Sequence, residues 1–162
     1  MRYITWIKPT PDLAGMINVE KFPDKQKHPL HCTLWGFYIN EAQEGSVVDA
    51  LNGIKEVPIL NFTSGYNYFE NKTVILLTRP DSLLRLHTSI VEIARRFDED
   101  TEKFDYNVER LGLERYNPHL TVSDSVVQLQ GNYENIPNCA ISYFLLKKIN
   151  GIWQNAAEFK LG

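Results

Sequence analysis

A short phrase, His-x-Thr, occurs twice in this 162-residue chain, and each copy begins an apolar segment. The first copy, His31-Cys32-Thr33, begins a segment that runs to residue 39, and the second, His119-Leu120-Thr121, begins one that runs to residue 127. If both segments are strands, side chains two residues apart share one face of a sheet. Each histidine then stands beside its threonine, and the residue between them points to the opposite face.

The spacing of apolar and turn-forming residues predicts strands and helices around these two segments. Strands are expected at residues 2–8, 31–39, 59–69, 73–79, 119–127, 140–149 and 152–161, and helices at residues 41–55 and 81–97. Asp81 is expected to cap the second helix, Glu70-Asn71 and Asn150-Gly151 are predicted to be tight turns, and Ser64-Gly65 suggests a bulge. Residues 103–117 are predicted to be a loop. Because strict βαβ alternation is missing, the pattern favours a mixed, largely antiparallel α+β fold.

The overall composition argues against several classes of protein. A net charge of −3 disfavours a broad basic surface that would coat nucleic acid. No apolar run approaches the ~20 residues that a membrane-spanning helix needs, and residues 1–6 have the character of a strand rather than of a signal peptide. Cys32 and Cys139 show no CxxC spacing, so two buried free thiols and a cytoplasmic location are expected.

Two histidines paired with two hydroxyls suit chemistry at a phosphodiester. Cleavage needs a base for the attacking oxygen and an acid for the leaving oxygen, and imidazoles with an unperturbed pKa near 6.5 can divide these tasks at neutral pH. Each proton transfer typically contributes about 10²- to 10⁴-fold, and a hydroxyl beside each histidine can donate to the non-bridging oxygens. We therefore expect no metal and no cofactor, and in-line attack with one histidine on each side of phosphorus.

These features resemble the 2H phosphoesterase superfamily, which includes RNA 2′,5′-ligase-like proteins and cyclic nucleotide phosphodiesterases. The resemblance rests on the two phrases, the proline directly before His119, the aliphatic residue after each threonine, and the order of strands and helices. It implies one domain over residues 1–162, made of two pseudo-symmetric lobes of mostly antiparallel sheet with outer helices around a central cleft. It also implies that His31 and His119 act as acid and base, and that Thr33 and Thr121 hold the phosphate.

The implied substrate is a 2′,3′-cyclic phosphate or a 2′,5′-linked nucleotide or oligonucleotide, such as an RNA end, and we expect the protein to act as a monomer. Three further residues are predicted to bind the substrate, as a phosphate contact, an aromatic platform or an extra cation: Tyr3, Tyr143 and Lys148. His87 is predicted to be a packing or surface residue of the second helix, and Trp6 is predicted to lie in the core.

Two questions stay open at the level of sequence. The residue types do not divide the roles of acid and base between His31 and His119. In addition, many members of the superfamily carry a basic residue three positions after the second threonine, whereas this chain has Asp124 there. A carboxylate facing the cleft would repel a phosphate, so the alternative function is a non-catalytic module that keeps the fold and binds or senses a nucleotide.

Overall fold

The computed structural model describes residues 1–9, 17, 29–61, 66–127 and 138–162. The strands are β1 (Arg2–Ile7), β2 (Cys32–Tyr38), β3 (Ile59–Leu60), β4 (Asn67–Phe69), β5 (Lys72–Leu76), β6 (His119–Ser123), β7 (Asn138–Cys139), β8 (Ser142–Ile149) and β9 (Ile152–Lys160). The α-helices are α1 (Glu44–Asn52), α2 (Asp81–Phe97) and α3 (Thr101–Leu111), and 3₁₀ turns span Glu41–Gln43 and Leu113–Arg115. Seven strands form one antiparallel sheet in the order β4-β5-β6-β2-β1-β8-β9, while β3 pairs with β7. The predicted α+β, largely antiparallel fold is confirmed.

The two motif strands, β2 and β6, lie side by side near the middle of the large sheet. They share one registered pair, Cys32 with Leu120. On its other side β2 pairs along its length with β1, and β6 pairs in the same way with β5. The sheet therefore consists of two well-paired halves that join at one point, and both His-x-Thr phrases lie at that point.

One face of the sheet carries the core. In β1 the side chains of Tyr3, Thr5 and Ile7 are fully buried, and they alternate with residues that point to the other face. Helix α2 packs an apolar stripe behind β2, because its apolar residues recur at intervals of three and four. Among the described helices, none combines the length and the apolar character that crossing a membrane requires.

Two hairpin turns have the backbone that their sequences predict. Glu70 and Asn71 have φ angles of 47° and 64°, and Asn150 and Gly151 have φ angles of 49° and 82°. Two successive residues with positive φ form the turn that best matches the twist of paired strands. The first turn joins β4 to β5 and the second joins β8 to β9, so both predicted turns are confirmed.

Residues 103–117, which were predicted to be a loop, are mostly helical. Helix α3 covers the first part of this region, and a 3₁₀ turn follows it. The prediction was wrong because two local signals outweigh the polar composition. The Asp100 side chain accepts a hydrogen bond from the Lys103 amide, which caps the helix, and Phe104 and Val108, four residues apart, are buried on one face.

The predicted cap at Asp81 is also wrong. Asp81 is the first residue of α2, and the capping position before it is taken by Pro80, which makes no side-chain hydrogen bond to the helix. The strand expected at 59–69 consists of the separate strands β3 and β4. The bulge expected at Ser64-Gly65 lies outside the described residues.

Candidate active site

The four motif side chains lie on one face of the sheet, where β2 meets β6. The central residues of the two phrases form an antiparallel pair, so continuing this register by one residue places His31 opposite Thr121 and Thr33 opposite His119. The two central residues are 1% exposed, whereas all four motif side chains are partly exposed. Side chains directly opposite each other are about 5 Å apart at Cβ, and diagonal ones about 7 Å. The histidines therefore occupy opposite corners of a square, with the threonines at the other two.

A β-bulge in β2 determines which residues share the face of the first phrase. Consecutive residues of β1 pair with Trp35 and then with Thr33, so the register skips Leu34. Leu34 and Trp35 are both buried, as expected when a bulge turns two adjacent side chains to the same side. As a result Thr33 does not lie on the core face with Trp35. It lies with Gly36 on the opposite face of the sheet, which we call the open face.

Both imidazoles are oriented by the same backbone contact. Nδ1 of His31 lies 2.7 Å from the carbonyl oxygen of Pro29, and Nδ1 of His119 lies 2.9 Å from the carbonyl oxygen of Asn117. Because a carbonyl oxygen can only accept, each Nδ1 carries a proton, and Nε2 is the nitrogen that gains and loses protons. In the neutral form, both rings therefore have the same tautomer.

Each catalytic candidate has an aromatic neighbour on the open face. The His31 ring stacks on Trp6, with centroids 3.7 Å apart and planes at 15°, and the His119 ring lies 5.3 Å from that of Phe69 at 41°. Trp6 is 2% exposed and Phe69 is 38% exposed. Trp6 is buried as the sequence predicted, but its contact with the motif was not foreseen, and neither was the contact of Phe69.

A pair of buried rings behind the sheet braces the first phrase. His87 and Tyr116 stack face to face, with centroids 3.9 Å apart and planes at 5°. His87 Nδ1 donates to the carbonyl oxygen of Leu34 at 2.9 Å, and the Tyr116 hydroxyl donates to that of Thr33, also at 2.9 Å. His87 Nε2 accepts a hydrogen bond from the Leu113 amide at 3.0 Å. The pair therefore connects the β2 bulge to the segment that leads into the second phrase.

Burial determines the protonation states of these inner groups. It lowers the pKa of His87 to about 4, so the ring is neutral near pH 7 and can donate from one nitrogen while it accepts at the other. It also raises the pKa of the Tyr116 hydroxyl well above its usual range. Burial raises the pKa of the Cys32 thiol to about 11, and a thiol that stays protonated is a poor nucleophile. The prediction of His87 as a packing residue fits this environment, but its support of the motif was missed.

Two of the residues predicted to bind substrate, Tyr3 and Tyr143, do not reach the site. Both are 0% exposed, and both face helix α1 behind the sheet. The Tyr3 hydroxyl donates to the Glu44 carboxylate at 2.6 Å, and the Tyr143 hydroxyl donates to the carbonyl oxygen of Leu51, also at 2.6 Å. The prediction was wrong because alternation along β1 turns its even-numbered residues, among them Trp6, toward the open face.

Lys148 shares the open face of the sheet but lies far from the motifs. Its ammonium group is 5.5 Å from the centre of the Trp153 ring. Phe144, on the same strand, is level with Trp6 and Thr33, and Lys148 is four residues farther along, a distance of about 13 Å. The structure does not bring Lys148 to the four motif side chains.

A cleft of about 580 Å³ opens beside Thr33 and His119. Its lining includes Arg2 and Arg115 and contains no aspartate or glutamate among the described residues. In the same described part of the chain, no three His, Cys, Asp or Glu side chains converge where a metal ion could be held. The cleft therefore joins one imidazole and one hydroxyl of the motif, those of His119 and Thr33, to a wall that carries two arginines.

Nearly the whole chain superposes on solved structures of similar architecture. A structure described as a phosphoesterase matches with a TM-score of 0.70 and 15% identity, over 99% of this chain and 97% of that one. Escherichia coli LigT complexed with 3′-AMP matches with a TM-score of 0.68 and 15% identity, over 99% and 96%. TT0787 of Thermus thermophilus matches with a TM-score of 0.67 and 14% identity, over 99% and 98%.

No family model and no curated protein matches the sequence. At identities of 14–15%, the likeness concerns the path of the chain and leaves the reaction to be argued from the site. The expected α+β fold is confirmed, and the path of this chain is similar to that of LigT.

Proposed function

We propose that this chain is a phosphoesterase that uses His31 and His119 as acid and base, and Thr33 and Thr121 to bind the phosphate, without a metal ion. The observation that carries the proposal is the register of β2 and β6, which sets each histidine opposite a threonine. A phosphate at the centre of this square has an imidazole on either side and a hydroxyl next to each. This placement suits in-line displacement at phosphorus, in which the attacking and leaving oxygens lie on opposite sides.

The proton transfers follow from the tautomers of the two rings. The neutral imidazole accepts a proton from the attacking water at Nε2, and the protonated imidazole gives the proton on its Nε2 to the leaving oxygen. The bond from phosphorus to the leaving oxygen breaks as the bond to the attacking oxygen forms, and the histidines end with exchanged protonation states. The carbonyl groups of Pro29 and Asn117 hold the rings throughout, while the threonine hydroxyls donate to the non-bridging oxygens.

A nucleotide is the proposed class of substrate, as a 2′,3′-cyclic phosphate or with a 2′,5′ linkage, as at an RNA end. LigT, which has a similar fold, has been solved in complex with 3′-AMP, with ATP and with NADP+. The cleft of about 580 Å³ in this chain falls in the size range of small-molecule sites. Its two arginines have the planar, fixed donor geometry that suits phosphate groups.

Replacing each histidine by alanine tests the proposal. We expect the turnover of 2′,3′-cyclic AMP or of a 2′,5′-linked diadenylate to fall at least about 10²-fold in both His31→Ala and His119→Ala, because each variant loses one proton transfer. Product formation is measured with and without a chelator, and circular dichroism checks the fold. Thr33→Val and Thr121→Val should give smaller losses, and Thr101→Val, at an exposed position of α3, is the matched control. Full activity in both histidine variants would overturn the proposal.

Asp124 motivates the second candidate, a module that binds or senses a nucleotide without cleaving it. Asp124 is exposed in the bend that follows β6, and a carboxylate near the second phrase disfavours a bound phosphate. Calorimetric binding of 3′-AMP or 2′,3′-cyclic AMP without product formation by the wild type would favour this candidate. Asp124→Asn should then tighten the binding.

A further inference from the structure

The cleft extends away from the motif as a groove, with β2 on one side and the end of α3 on the other. On the β2 side it runs from Thr33 past Gly36 to Arg2 of the neighbouring strand. On the other side it is lined by Asn107 of α3 and by Arg115. The groove therefore continues the reaction site on the side of His119.

The groove exists because β2 and β6 pair at a single position. Beyond Cys32 and Leu120 they share no registered pair, so the following part of β2 has an edge that β6 does not cover. Gly36 lies on this stretch and is exposed, and a Cβ added to it would meet nothing closer than the Tyr3 carbonyl oxygen at 3.6 Å. The absence of a side chain at residue 36 therefore keeps the floor of the groove open.

The charge of the groove suits an anion. Arg2 and Arg115 line it, and no carboxylate does among the described residues. Other cations of this chain form ion pairs, such as Arg85 with Glu56 at 2.8 Å. In the described part of the chain, by contrast, neither arginine of the groove has a carboxylate within ion-pair distance.

The length of the groove exceeds what the reacting phosphate alone occupies. Thr33 pairs with Trp6 of β1, and Arg2 is four residues farther along the same strand, a distance of about 13 Å. The cleft volume of about 580 Å³ leaves room for a nucleoside unit beside the reacting phosphate. Asn107, on the opposite wall, offers an amide donor and acceptor for the polar edge of a base or for ribose hydroxyls.

We propose that this groove binds the next unit of a nucleotide chain, with a second phosphate held by Arg115 and Arg2. The protein then prefers a phosphate-linked dinucleotide with a reactive end to a mononucleotide with the same end. A guanidinium holds a phosphate through parallel, charge-assisted hydrogen bonds, so two arginines at a second phosphate select for chain length. This inference rests on the proposed function, because it assigns the reacting phosphate to the square of motif side chains.

The test compares two substrates that share one reactive end. One is 2′,3′-cyclic AMP, and the other is a diadenylate whose 3′-terminal residue carries the same cyclic phosphate. We expect kcat/KM of the wild type to be at least about tenfold higher for the dinucleotide. Arg115→Gln and Arg2→Gln should each lower this ratio by about tenfold, and Gly36→Leu should lower it by filling the groove, with a smaller effect for Gly36→Ala.

The matched control is Arg110→Gln, because Arg110 lies on the exposed surface of α3 beside Tyr106 and does not line the groove. It should leave the ratio unchanged. A wild-type ratio near one, or a ratio that neither Arg115→Gln nor Gly36→Leu lowers, overturns the inference while the phosphoesterase activity stands. If the wild type cleaves neither substrate, the proposed function fails. Calorimetry with the same compounds then tests whether the groove binds the second nucleotide. A dinucleotide Kd about tenfold weaker in Arg115→Gln then supports it, and an equal Kd overturns it.

Discussion

The two His-x-Thr phrases share a local geometry but not their surroundings. In both, Nδ1 of the histidine contacts the carbonyl oxygen two residues earlier, so the same ring orientation is produced twice. His31, however, stacks on the buried ring of Trp6, whereas His119 lies against the half-exposed Phe69 of the edge strand β4. The comparison shows that the proposed chemistry is symmetric while the packing that supports it is not.

The backbone support differs as well. The first phrase is held from behind by side chains, because Tyr116 and His87 bind the carbonyl groups of Thr33 and Leu34. The second phrase is held by its ladder to β5, which pairs with β6 over most of its length. Since Tyr116 comes three residues before His119 in the chain, the brace of the first phrase is also part of the lead-in to the second.

The largest expected difference between the phrases is in stability, when the aromatic neighbour of each histidine is replaced by alanine. Trp6→Ala should lower the free energy of unfolding by about 3–5 kcal/mol, because it deletes a buried indole from a packed sheet. Phe69→Ala should lower it by less than about 1 kcal/mol, because this ring is 38% exposed. Chemical denaturation of both variants at pH 7 measures the difference.

Tyr106→Ala is the control for Phe69→Ala, because Tyr106 is an exposed aromatic residue of α3 that lies away from the phrases. Both variants should be close to the wild type in stability, but only Phe69→Ala should reduce kcat/KM, by a few-fold, through the orientation of His119. Equal losses of stability in Trp6→Ala and Phe69→Ala would show that the two phrases are supported alike.

The sequence predicted the site itself better than its walls, and the aromatic residues of β1 show why. The phrases are local patterns, and alternation along a strand was enough to place each histidine beside its threonine. The walls depend on which face of the sheet the helices cover, and Tyr3 and Trp6 do not reveal this because both are aromatic residues of the same strand. The charges of Arg2 and Lys8 could have identified the open face of β1, because both residues are exposed and alternate onto the same face as Trp6. The bulge at Leu34 arises from strand pairing and leaves no clear mark in the sequence.

The helices show the same dependence on local information. Helix α2 was predicted nearly to the residue because many of its apolar side chains recur at helical intervals and are buried. Helix α3 was missed because it buries only Phe104 and Val108, too few for its period to stand out. Missing this helix affected the predicted site, because α3 and the turn after it form one wall of the groove.

The brace behind the first phrase should make stability depend on pH. The pKa of His87 is about 4 in the folded protein and about 6.5 in an unfolded chain, so the unfolded state binds the proton first as pH falls. The contribution of the neutral ring to the free energy of unfolding is complete above pH 6.5 and is lost as pH falls from 6.5 to 4. It amounts to roughly 3 kcal/mol, and protonation of Nε2 also removes the acceptor for the Leu113 amide.

His87→Gln is the matched variant, because glutamine keeps a donor and an acceptor but does not titrate. The free energy of unfolding of both proteins is measured by denaturation at several pH values from 7 to 4. The wild type should lose roughly 3 kcal/mol more than the variant over this range. Parallel pH curves would mean that His87 does not contribute this term, and the brace would then rest on Tyr116 alone.

The smallest expected effect comes from removing either of two tyrosine hydroxyl groups. One of them supports the first phrase, and the other only stabilises the fold. Tyr116 and Tyr143 each bury a hydroxyl that donates to a backbone carbonyl group, of Thr33 in one case and of Leu51 in the other. Tyr116→Phe and Tyr143→Phe should each cost about 1 kcal/mol in the free energy of unfolding, because each removes one hydrogen bond to a backbone carbonyl group. Only Tyr116→Phe should lower kcat, by a few-fold at unchanged KM, because Thr33 then holds the phosphate less rigidly in the transition state. An equal kcat in the two variants would show that the ladder of β2 to β1 positions Thr33 without help, and the two phrases would then be supported in the same way.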